Sequence, residues 1–454
     1  MRRCSISKLS ALLATTMLVT SVPTVTFAAD KGWVQKGNDW YYQDSKGNNV
    51  TEAWRDNDSK TYKYYLGEDG KMVRNSLFDI DDKWYYVNGD GVMSVNMWRL
   101  LNSDYDDDER WYYFGDNGRA QASGWKTING KRYHFTDHTM DYGFLTEEGE
   151  MIEDSDSAWK EAVYYVGDNN VGWRFENQWV LVDEYDTSEY DQKELWLYFG
   201  PNGKKVTNKI QTINNVRYAF DENGAMVYEW HGTATPSDAA YKYYNSETGA
   251  QQSKGWFKAV PSEEQDAEAH EADEERTFYA GKSGVTYKNG VKTIDGKKYI
   301  FDQYGILRTG LMLVNENRQI VEVIEEDFDE LPSAESLRGL RSRGDLILTD
   351  KNGVIKTGKV TVELDGVKTT MNFNKNGVAK HGVDNNYLYD NGVLIKVDRN
   401  ESEFKYMSYT LDGKTYCVDT AGRIKKAGTY ADGDYKWTVV DAGDKGYTVT
   451  RTSK

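Results

Sequence analysis

Tryptophan is the residue type in this sequence with the clearest capacity for binding chemistry. Of fourteen tryptophans, thirteen lie at or before Trp256. The face of an indole ring attracts organic cations, and each desolvated contact contributes up to about 2 kcal/mol. The same face stacks on a pyranose ring, while nearby Asp, Asn and Lys side chains can bind the sugar hydroxyls. Tryptophan also packs in protein cores. Cation binding, sugar binding and core packing are therefore all open.

Residues suited to catalysis or metal binding are not arranged in a recognisable pattern. The five histidines are scattered, and the chain has no His-Glu-x-x-His spacing, no Gly-x-Ser-x-Gly turn and no phosphate-binding glycine loop. Asp104, Asp106 and Asp108 alternate, but the twelve-residue calcium loop with its central glycine and terminal glutamate is missing. We therefore expect no catalytic residues, no metal site and no cofactor.

A glycine repeat indicates the elements that must position the tryptophans. Twelve times, the central residue of a short aromatic or apolar triplet is followed five residues later by glycine. The pairs are Tyr42/Gly47, Tyr65/Gly70, Tyr86/Gly91, Tyr113/Gly118, Tyr198/Gly203, Ala219/Gly224, Tyr244/Gly249, Tyr279/Gly284, Ile300/Gly305, Leu348/Gly353, Asn372/Gly377 and Cys417/Gly422. A period near twenty residues is typical of a solenoid or array.

Upstream turn signals predict what each repeat folds into. Asn129-Gly130, Asp295-Gly296 and Asp412-Gly413 are flanked by β-branched and aromatic residues, a pattern typical of a β-hairpin with a two-residue turn. A lone hairpin buries too little surface to be stable, so successive repeats must stack. The sequence predicts an all-β fold, an elongated solenoid of stacked β-hairpin repeats.

Three segments interrupt the repeat, at residues 103–110, 261–276 and 315–343. The first two are acidic, and we expect solvated loops there. The third contains Pro332 and is predicted to hold a short helix, with Ser333 a better candidate for its N-cap than Ser336.

The N-terminus is predicted to be a signal peptide spanning residues 1–28. Arg2, Arg3 and Lys8 precede an apolar run from residue 9 to residue 22, and small residues follow at the expected cleavage point. No later apolar stretch of roughly 18 residues is present. We therefore expect a secreted protein that is not inserted in a membrane.

The net charge excludes some classes of partner, and the cysteine count excludes a disulfide framework. Removal of the three basic leader residues would take the formal net charge from −17 to −20, which opposes binding to nucleic acid and to anionic membranes. Cys417 would be the only cysteine of the mature chain, so an intramolecular disulfide framework is excluded and stability must come from packing.

Several repeats resemble a known superfamily. Gly32-Trp33 with Trp40-Tyr41-Tyr42 and Gly47, and Trp84-Tyr85-Tyr86 with Gly91 and Met93, closely resemble choline-binding or cell-wall-binding repeats. The stretches 124–130 and 218–226 are also similar to repeats of clostridial toxins and of glucan-binding glucosyltransferases. The resemblance covers nearly all of the chain after the leader.

The resemblance implies a function and candidate ligand sites. Such solenoids attach secreted proteins noncovalently to choline on teichoic acids, or bind glucans and other polysaccharides, and the protein would be cell-wall associated. Their aromatic boxes lie between consecutive hairpins. Matching positions here suggest three ligand-binding groups: Trp33, Trp40 and Trp54; Trp84 and Trp98; and Trp98, Trp111 and Trp125.

The distribution of tryptophan suggests two arrays and leaves other functions open. Residues 29–260 form a predicted Trp-rich binding array, and residues 261–454 a Trp-poor, degenerate array with the insertion near 315–343. Choline and a glycan are alternative ligands. Other hypotheses are a structural surface rod or adhesin without ligand boxes, and a cell-wall hydrolase with a cryptic site. The sequence does not indicate an oligomeric state.

Overall fold

The structure, a computed structural model, describes residues 32–102, 108–152, 157–183, 194–231, 241–399 and 402–454. The chain forms two compact units, unit 1 ending at Val227 and unit 2 spanning Tyr228–Lys454. Strands account for 49% of the described residues and helices for 6%, so the predicted all-β class is confirmed. The predicted signal peptide, and Asp104 and Asp106 of the acidic motif, lie outside the described residues.

Unit 1 is built from short antiparallel hairpins. Its strands are β1 Trp33–Lys36, β2 Asp39–Tyr42, β3 Ala53–Asp56, β4 Lys63–Leu66, β5 Ser76–Ile80, β6 Lys83–Val87, β7 Met97–Asn102, β8 Glu109–Phe114, β9 Gly124–Ile128, β10 Lys131–Thr136, β11 Thr139–Met140, β12 Phe144–Leu145, β13 Tyr164–Tyr165, β14 Gln178–Asp183, β15 Glu194–Phe199, β16 Lys209–Ile213 and β17 Val216–Phe220. Its one described helix is α1 Ala158–Glu161. Successive strands pair as two-stranded sheets, except that β11 extends the β9–β10 hairpin.

Unit 2 continues the pattern with some larger sheets. Its strands are β18 Glu229–His231, β19 Lys242–Tyr244, β20 Gly255–Ala259, β21 Arg276–Ala280, β22 Gly290–Ile294, β23 Lys297–Phe301, β24 Leu311–Val314, β25 Ile320–Glu325, β26 Asp345–Leu348, β27 Gly358–Leu364, β28 Val367–Phe373, β29 Gly382–Asp384, β30 Tyr387–Asp390, β31 Val393–Leu394, β32 Tyr406–Leu411, β33 Lys414–Asp419, β34 Gly428–Asp432, β35 Tyr435–Asp441 and β36 Tyr447–Ser453. Its helices are α2 Ala267–Glu271 and α3 Ala334–Gly339. β24–β26 and β34–β36 form three-stranded sheets and β27–β31 a five-stranded sheet, and none of the described sheets closes into a barrel.

The predicted turn chemistry is confirmed. Asn129 and Gly130 have φ of +50° and +79°, and they connect β9 to β10. Two consecutive residues at positive φ match the twist of the flanking strands. All twelve glycines of the repeat have φ between +65° and +94°, where a residue with a Cβ is strained. We call these twelve the turn glycines.

One kind of backbone hydrogen bond recurs between neighbouring repeats in both units. The residue two positions after a turn glycine, or after Gly172, which has φ of +64° in a degenerate repeat, is called the closing residue. Its N–H donates to a carbonyl on or beside the second strand of the preceding hairpin, and the residue with that carbonyl is called the acceptor residue. Met72 donates to Trp40 at 2.8 Å, and Leu307 donates to Thr277 at 2.9 Å. Other pairs are Met93–Lys63, Ala120–Trp84, Lys205–Val163, Met226–Trp196, Ile355–Lys298 and Ala379–Leu346. At each of these positions a repeat is therefore bonded to the one before it.

Aromatic packing supplies the apolar part of the same contact. Trp54 on a first strand lies 5.1 Å from Tyr65, its cross-strand partner, and 5.1 Å from Tyr85 of the next hairpin, measured between ring centroids. The same pair of contacts recurs for Trp98 with Tyr113 and Tyr133, for Trp179 with Tyr198 and Tyr218, and for Trp256 with Tyr279 and Tyr299. Within each unit the hairpins thus share their aromatic core, as the stacking argument predicts.

The structure tests the predictions for residues 261–276 and 315–343, the two insertions that it describes in full. Ser333 caps α3, its Oγ accepting the N–H of Ser336 at 3.2 Å, so the predicted helix and its cap are confirmed. The prediction of a solvated loop at 261–276 is wrong, because α2 forms there and buries Ala269 completely. Asp266 caps α2 by accepting the N–H of Ala269 at 3.1 Å, a role hidden among the acidic residues of the segment.

Over the described residues, no helix is both long and apolar enough to cross a bilayer. The longest is α3, with six residues.

The packing of turn glycines against the preceding repeat predicts that two glycine substitutions will lower the free energy of unfolding by different amounts. An alanine Cβ at Gly118 would lie 2.5 Å from Sδ of Met93 in the preceding repeat, whereas at Gly130 it would meet no atom within 4 Å. Both variants bear the cost of positive φ, roughly 1 kcal/mol. Gly118→Ala should lose more, on the order of a further 1 kcal/mol, because the flexible Met93 side chain must move away from the new Cβ. Urea unfolding followed by near-ultraviolet circular dichroism measures both, and equal losses would show that the turn glycine is not a packing site.

Candidate functional site

Three hairpin interfaces of unit 1 repeat one arrangement of side chains. A first-strand tryptophan, a second-strand tryptophan, a tyrosine of the next hairpin and a methionine converge there. We call these the aromatic corners. The first contains Trp33, Trp40, Tyr64 and Met72; the second Trp98, Trp111, Tyr133 and Met140; and the third Trp179, Trp196 and Tyr218, with the buried Met226 bonded to the main chain of Trp196.

The third corner has the simplest geometry. The rings of Trp179 and Trp196 lie 6.4 Å apart at 89° to each other, and Tyr218 lies 5.0 Å from Trp179. Met226 is the closing residue, and its N–H donates to the carbonyl of Trp196 at 2.8 Å. Both indoles are half-buried while Tyr218 is buried. Two perpendicular indoles with part of their surface exposed therefore stand on a buried floor.

The second corner has the same geometry and a further wall. Trp98 and Trp111 lie 6.4 Å apart at 86°, and Tyr133 lies 4.8 Å from Trp98. Trp173 packs on the same cluster, with its centroid 6.4 Å from that of Tyr133. The ammonium of Lys131 sits 3.0 Å from the centroid of Trp173, and burial lowers the pKa of this lysine. An aromatic wall of this corner thus already holds a cation.

The first corner brings together two of the three tryptophans of one predicted group. Trp33 is buried, with Tyr64 5.1 Å away, and its Nε1 donates to the carbonyl of Asp56 at 3.1 Å. Trp40 and Met72 pack on the same cluster. Trp54, predicted to complete this group, packs instead with Tyr65, Phe78 and Tyr85. That grouping is wrong because a first-strand tryptophan packs on the hairpin that follows it.

The predicted pairing of Trp84 with Trp98 is also not observed. Trp84 packs with Leu77, Tyr112 and Phe114, a cluster separate from that of Trp98. Here the first-strand position is Leu77 and the closing residue is Ala120. The interface lacks one indole and the methionine of the aromatic corners.

Trp125 is likewise separate from Trp98 and Trp111, with which it was predicted to form a box. It packs against His134 at 4.8 Å and Tyr164 at 5.2 Å. Two guanidinium groups, those of Arg132 and Arg174, lie 5.2 and 5.3 Å from the centroid of its ring. The ring face that the sequence offers to a ligand is therefore in contact with the chain's own cations.

In the next repeat the closing residue is itself a cation, Lys205. The ammonium of Lys205 donates to the carbonyls of Trp159 and Lys160, at 2.5 and 2.8 Å, and lies 6.0 Å from the centroid of the Trp159 ring. Burial lowers the pKa of Lys205 to about 8, although the negative charge of Asp221 raises it by a smaller amount. The chain thus places methionine at some closing positions and a partly desolvated cation at others.

Sequence reasoning missed Trp179, Trp196, Tyr218 and Trp173. Trp196, Tyr198 and Gly203 keep the repeat spacing, and Met226 follows Gly224 by two residues, so the signal was present. It was obscured because sixteen residues separate Trp179 from Trp196, against twelve between Trp98 and Trp111. Trp173 belongs to a degenerate repeat and reaches its place through a bridge to Tyr133, which no local spacing indicates.

Electrostatics favour a cation at these rings. The chain carries a formal charge of −17, and the faces of Trp and Tyr rings are negative. Among the described residues, no lysine or arginine lies over Trp179, Trp196 or Tyr218. The third corner can therefore hold a small organic cation by desolvation and cation–π attraction without hydrogen bonds.

Comparison with known proteins identifies the repeats. Residues 75–93, 105–120 and 123–137 match the choline-binding family of cell wall binding repeats. Glucosyltransferase-S of Streptococcus downei is 28% identical over 241 residues, which are 53% of this chain and 14% of that enzyme. Glucosyltransferase-S of Streptococcus mutans is 27% identical over 297 residues, 60% of this chain and 17% of that enzyme. The chain spans less than a fifth of either relative.

Solved structures of similar proteins include two from Streptococcus pneumoniae. Choline-binding protein F is 17% identical with a TM-score of 0.31, covering 78% of this chain and all of that one. The modular autolysin LytC is 17% identical with a TM-score of 0.38, covering 63% of this chain and 54% of that one. The resemblance to cell-wall-binding repeats is confirmed by the three matched segments and by the two glucosyltransferases.

The buried ammonium of Lys205 predicts a pH-dependent stability. In the unfolded chain lysine has its ordinary pKa of 10.5, above its value of about 8 in the fold. Between these values the unfolded state binds more protons, so the free energy of unfolding rises with pH. The melting temperature of the wild type minus that of Lys205→Met should therefore increase between pH 8 and pH 10. Lys282→Met, which removes an exposed turn lysine, is the control, and a flat difference for Lys205→Met would contradict the assignment.

Proposed function

We propose that this chain, which carries cell wall binding repeats of the choline-binding family, is a non-catalytic surface protein that attaches noncovalently to a choline-bearing wall polymer. The attachment sites are the aromatic corners between hairpins. The observation that carries the proposal is the third corner, where the perpendicular rings of Trp179 and Trp196 meet Tyr218 and, among the described residues, no lysine or arginine lies over these rings.

The chemistry of a quaternary ammonium fits these corners. The trimethylammonium group of choline donates no hydrogen bond, so its affinity must come from desolvation and from the negative faces of aromatic rings. Perpendicular indoles offer two faces at once, and the closing methionine adds a polarizable apolar wall. The backbone bond from Met226 to Trp196 fixes the main chains of these two residues relative to each other.

A stack of hairpins, continued as an elongated solenoid, would present its corners to one polymer. Sites that are weak singly could gain roughly 10²–10⁴ in avidity when their spacing matches the repeat of the ligand. The acidic charge of the chain would add attraction to a cationic substituent and repel nucleic acid. This is the basis for proposing a secreted, cell-wall-associated protein.

Glycan binding is the second candidate, and it has an observation of its own. Unit 2 contains a cavity of about 320 Å³ lined by Tyr228 and Trp230 and by polar groups that include Glu229, His270 and Asp273. An aromatic face beside carboxylates and an imidazole suits a sugar ring and its hydroxyls. The two relatives that match over half of this chain are glucosyltransferases.

The proposal predicts the response to choline. Titration of the protein with choline should give a saturable shift of tryptophan fluorescence. Trp196→Ala should weaken one class of site roughly 30-fold, since a desolvated cation–π contact contributes up to about 2 kcal/mol. Trp437→Phe, which alters a buried tryptophan outside the corners, should leave the titration unchanged.

A parallel titration with soluble glucans separates the two candidates. A response to glucan that Trp230→Ala abolishes, with none to choline, would transfer the function to unit 2 and overturn the choline proposal. Silence towards both ligands would favour a structural rod whose tryptophans only pack.

A further inference from the structure

The interface between the β9–β10 hairpin and the β12–β13 hairpin has the plan of an aromatic corner with different residues in two places. Trp125 is the first-strand tryptophan, and Tyr164 is the tyrosine of the next hairpin. The acceptor residue is Arg132, and the closing residue is Arg174, whose N–H donates to the carbonyl of Arg132 at 2.7 Å. Arginines therefore stand where the third corner has Trp196 and Met226.

The guanidinium of Arg174 occupies this interface. Its Cζ lies 5.3 Å from the centroid of Trp125 and 5.8 Å from that of Tyr164. Only 9% of its side chain is exposed, and its Nε donates to Oε1 of Glu176 at 3.0 Å. Burial of a cation to this extent is costly unless it is compensated. The two ring faces and the carboxylate provide that compensation.

The neighbouring repeat holds Arg174 in place. A Cβ at the turn glycine Gly203 would collide with Nε of Arg174, so this glycine turn packs directly against the arginine side chain. In the next repeat the corresponding turn glycine, Gly224, packs against the aliphatic stem of Lys205. The closing residue is therefore enclosed from both sides, and its identity decides what fills the interface.

We infer that Trp125 and Tyr164 form a latent organic-cation site that the guanidinium of Arg174 occupies as a tethered internal ligand. The inference rests on the proposed function, because it assigns to this interface the ligand chemistry of the aromatic corners. A tethered group acts at an effective concentration on the order of millimolar or more, so it outcompetes a weak free ligand. Methionine at the closing position leaves a corner open, whereas Arg174 closes it.

The number of working sites is thus set by the closing residue as well as by the tryptophans. Lys205 fills the next interface along the chain in a comparable way, with its ammonium near Trp159. Two consecutive interfaces would then be self-occupied, between the second and the third aromatic corner. A ligand count based on tryptophans alone would be too high.

Arg174→Met tests the inference directly, since methionine is the closing residue at Met72 and Met226. The number of choline molecules bound per chain, measured by equilibrium dialysis, should rise by one relative to the wild type. Arg174→Lys, which retains the cation, should not change it. The double variant Arg174→Met/Arg132→Gln also lacks the guanidinium of Arg132, and it should still bind one choline molecule more than the wild type. Near-ultraviolet circular dichroism checks that each variant is folded.

Trp125→Ala in the otherwise native chain gives a test that does not depend on the folding of Arg174→Met. It should leave the number of bound choline molecules unchanged, because the site is already filled. Loss of one choline on this substitution would overturn the inference and show that Trp125 binds ligand directly.

The outcomes separate this inference from the proposed function. If the wild type binds choline and folded Arg174→Met binds no more of it, the inference is wrong and the proposed function stands. If only Arg174→Met binds choline, the latent site is supported and the proposed function of the native chain fails. If neither binds choline, both are overturned.

Discussion

The structure depends on the fact that a two-stranded hairpin cannot bury its own aromatic side chains. A first-strand tryptophan such as Trp54 has one tyrosine across its own hairpin and needs a second from the next hairpin to cover it. The closing N–H fixes the register of that contact through a bond to the preceding repeat. Fold stability and spacing of the aromatic rings are therefore consequences of one interaction, repeated with each hairpin.

The same interaction gives the two tryptophans of a corner different surroundings. The first-strand ring, as at Trp179, packs between tyrosines of two hairpins, whereas the second-strand ring, as at Trp196, stands perpendicular to it. The backbone bond constrains only the main chain of the closing residue. Its side chain can therefore be methionine, arginine or lysine without changing the fold, as Met226, Arg174 and Lys205 illustrate.

Local features could be predicted from the sequence, and contacts between repeats could not. The Asn129–Gly130 turn and the Ser333 cap depend on residues close together in the chain, and both predictions are confirmed. The predicted boxes grouped tryptophans by their order in the sequence, and they placed Trp54 and Trp125 with the wrong partners. Which ring faces which depends on how one hairpin sits on the next, and Arg174 reaches Trp125 from 49 residues away.

A crystal structure of the protein grown with choline would test the central claim most directly. The account predicts a trimethylammonium group between Trp179, Trp196 and Tyr218, with the guanidinium of Arg174 still against Trp125. Choline bound elsewhere, or an empty third corner at a saturating choline concentration, would contradict the claim that this interface is a binding site.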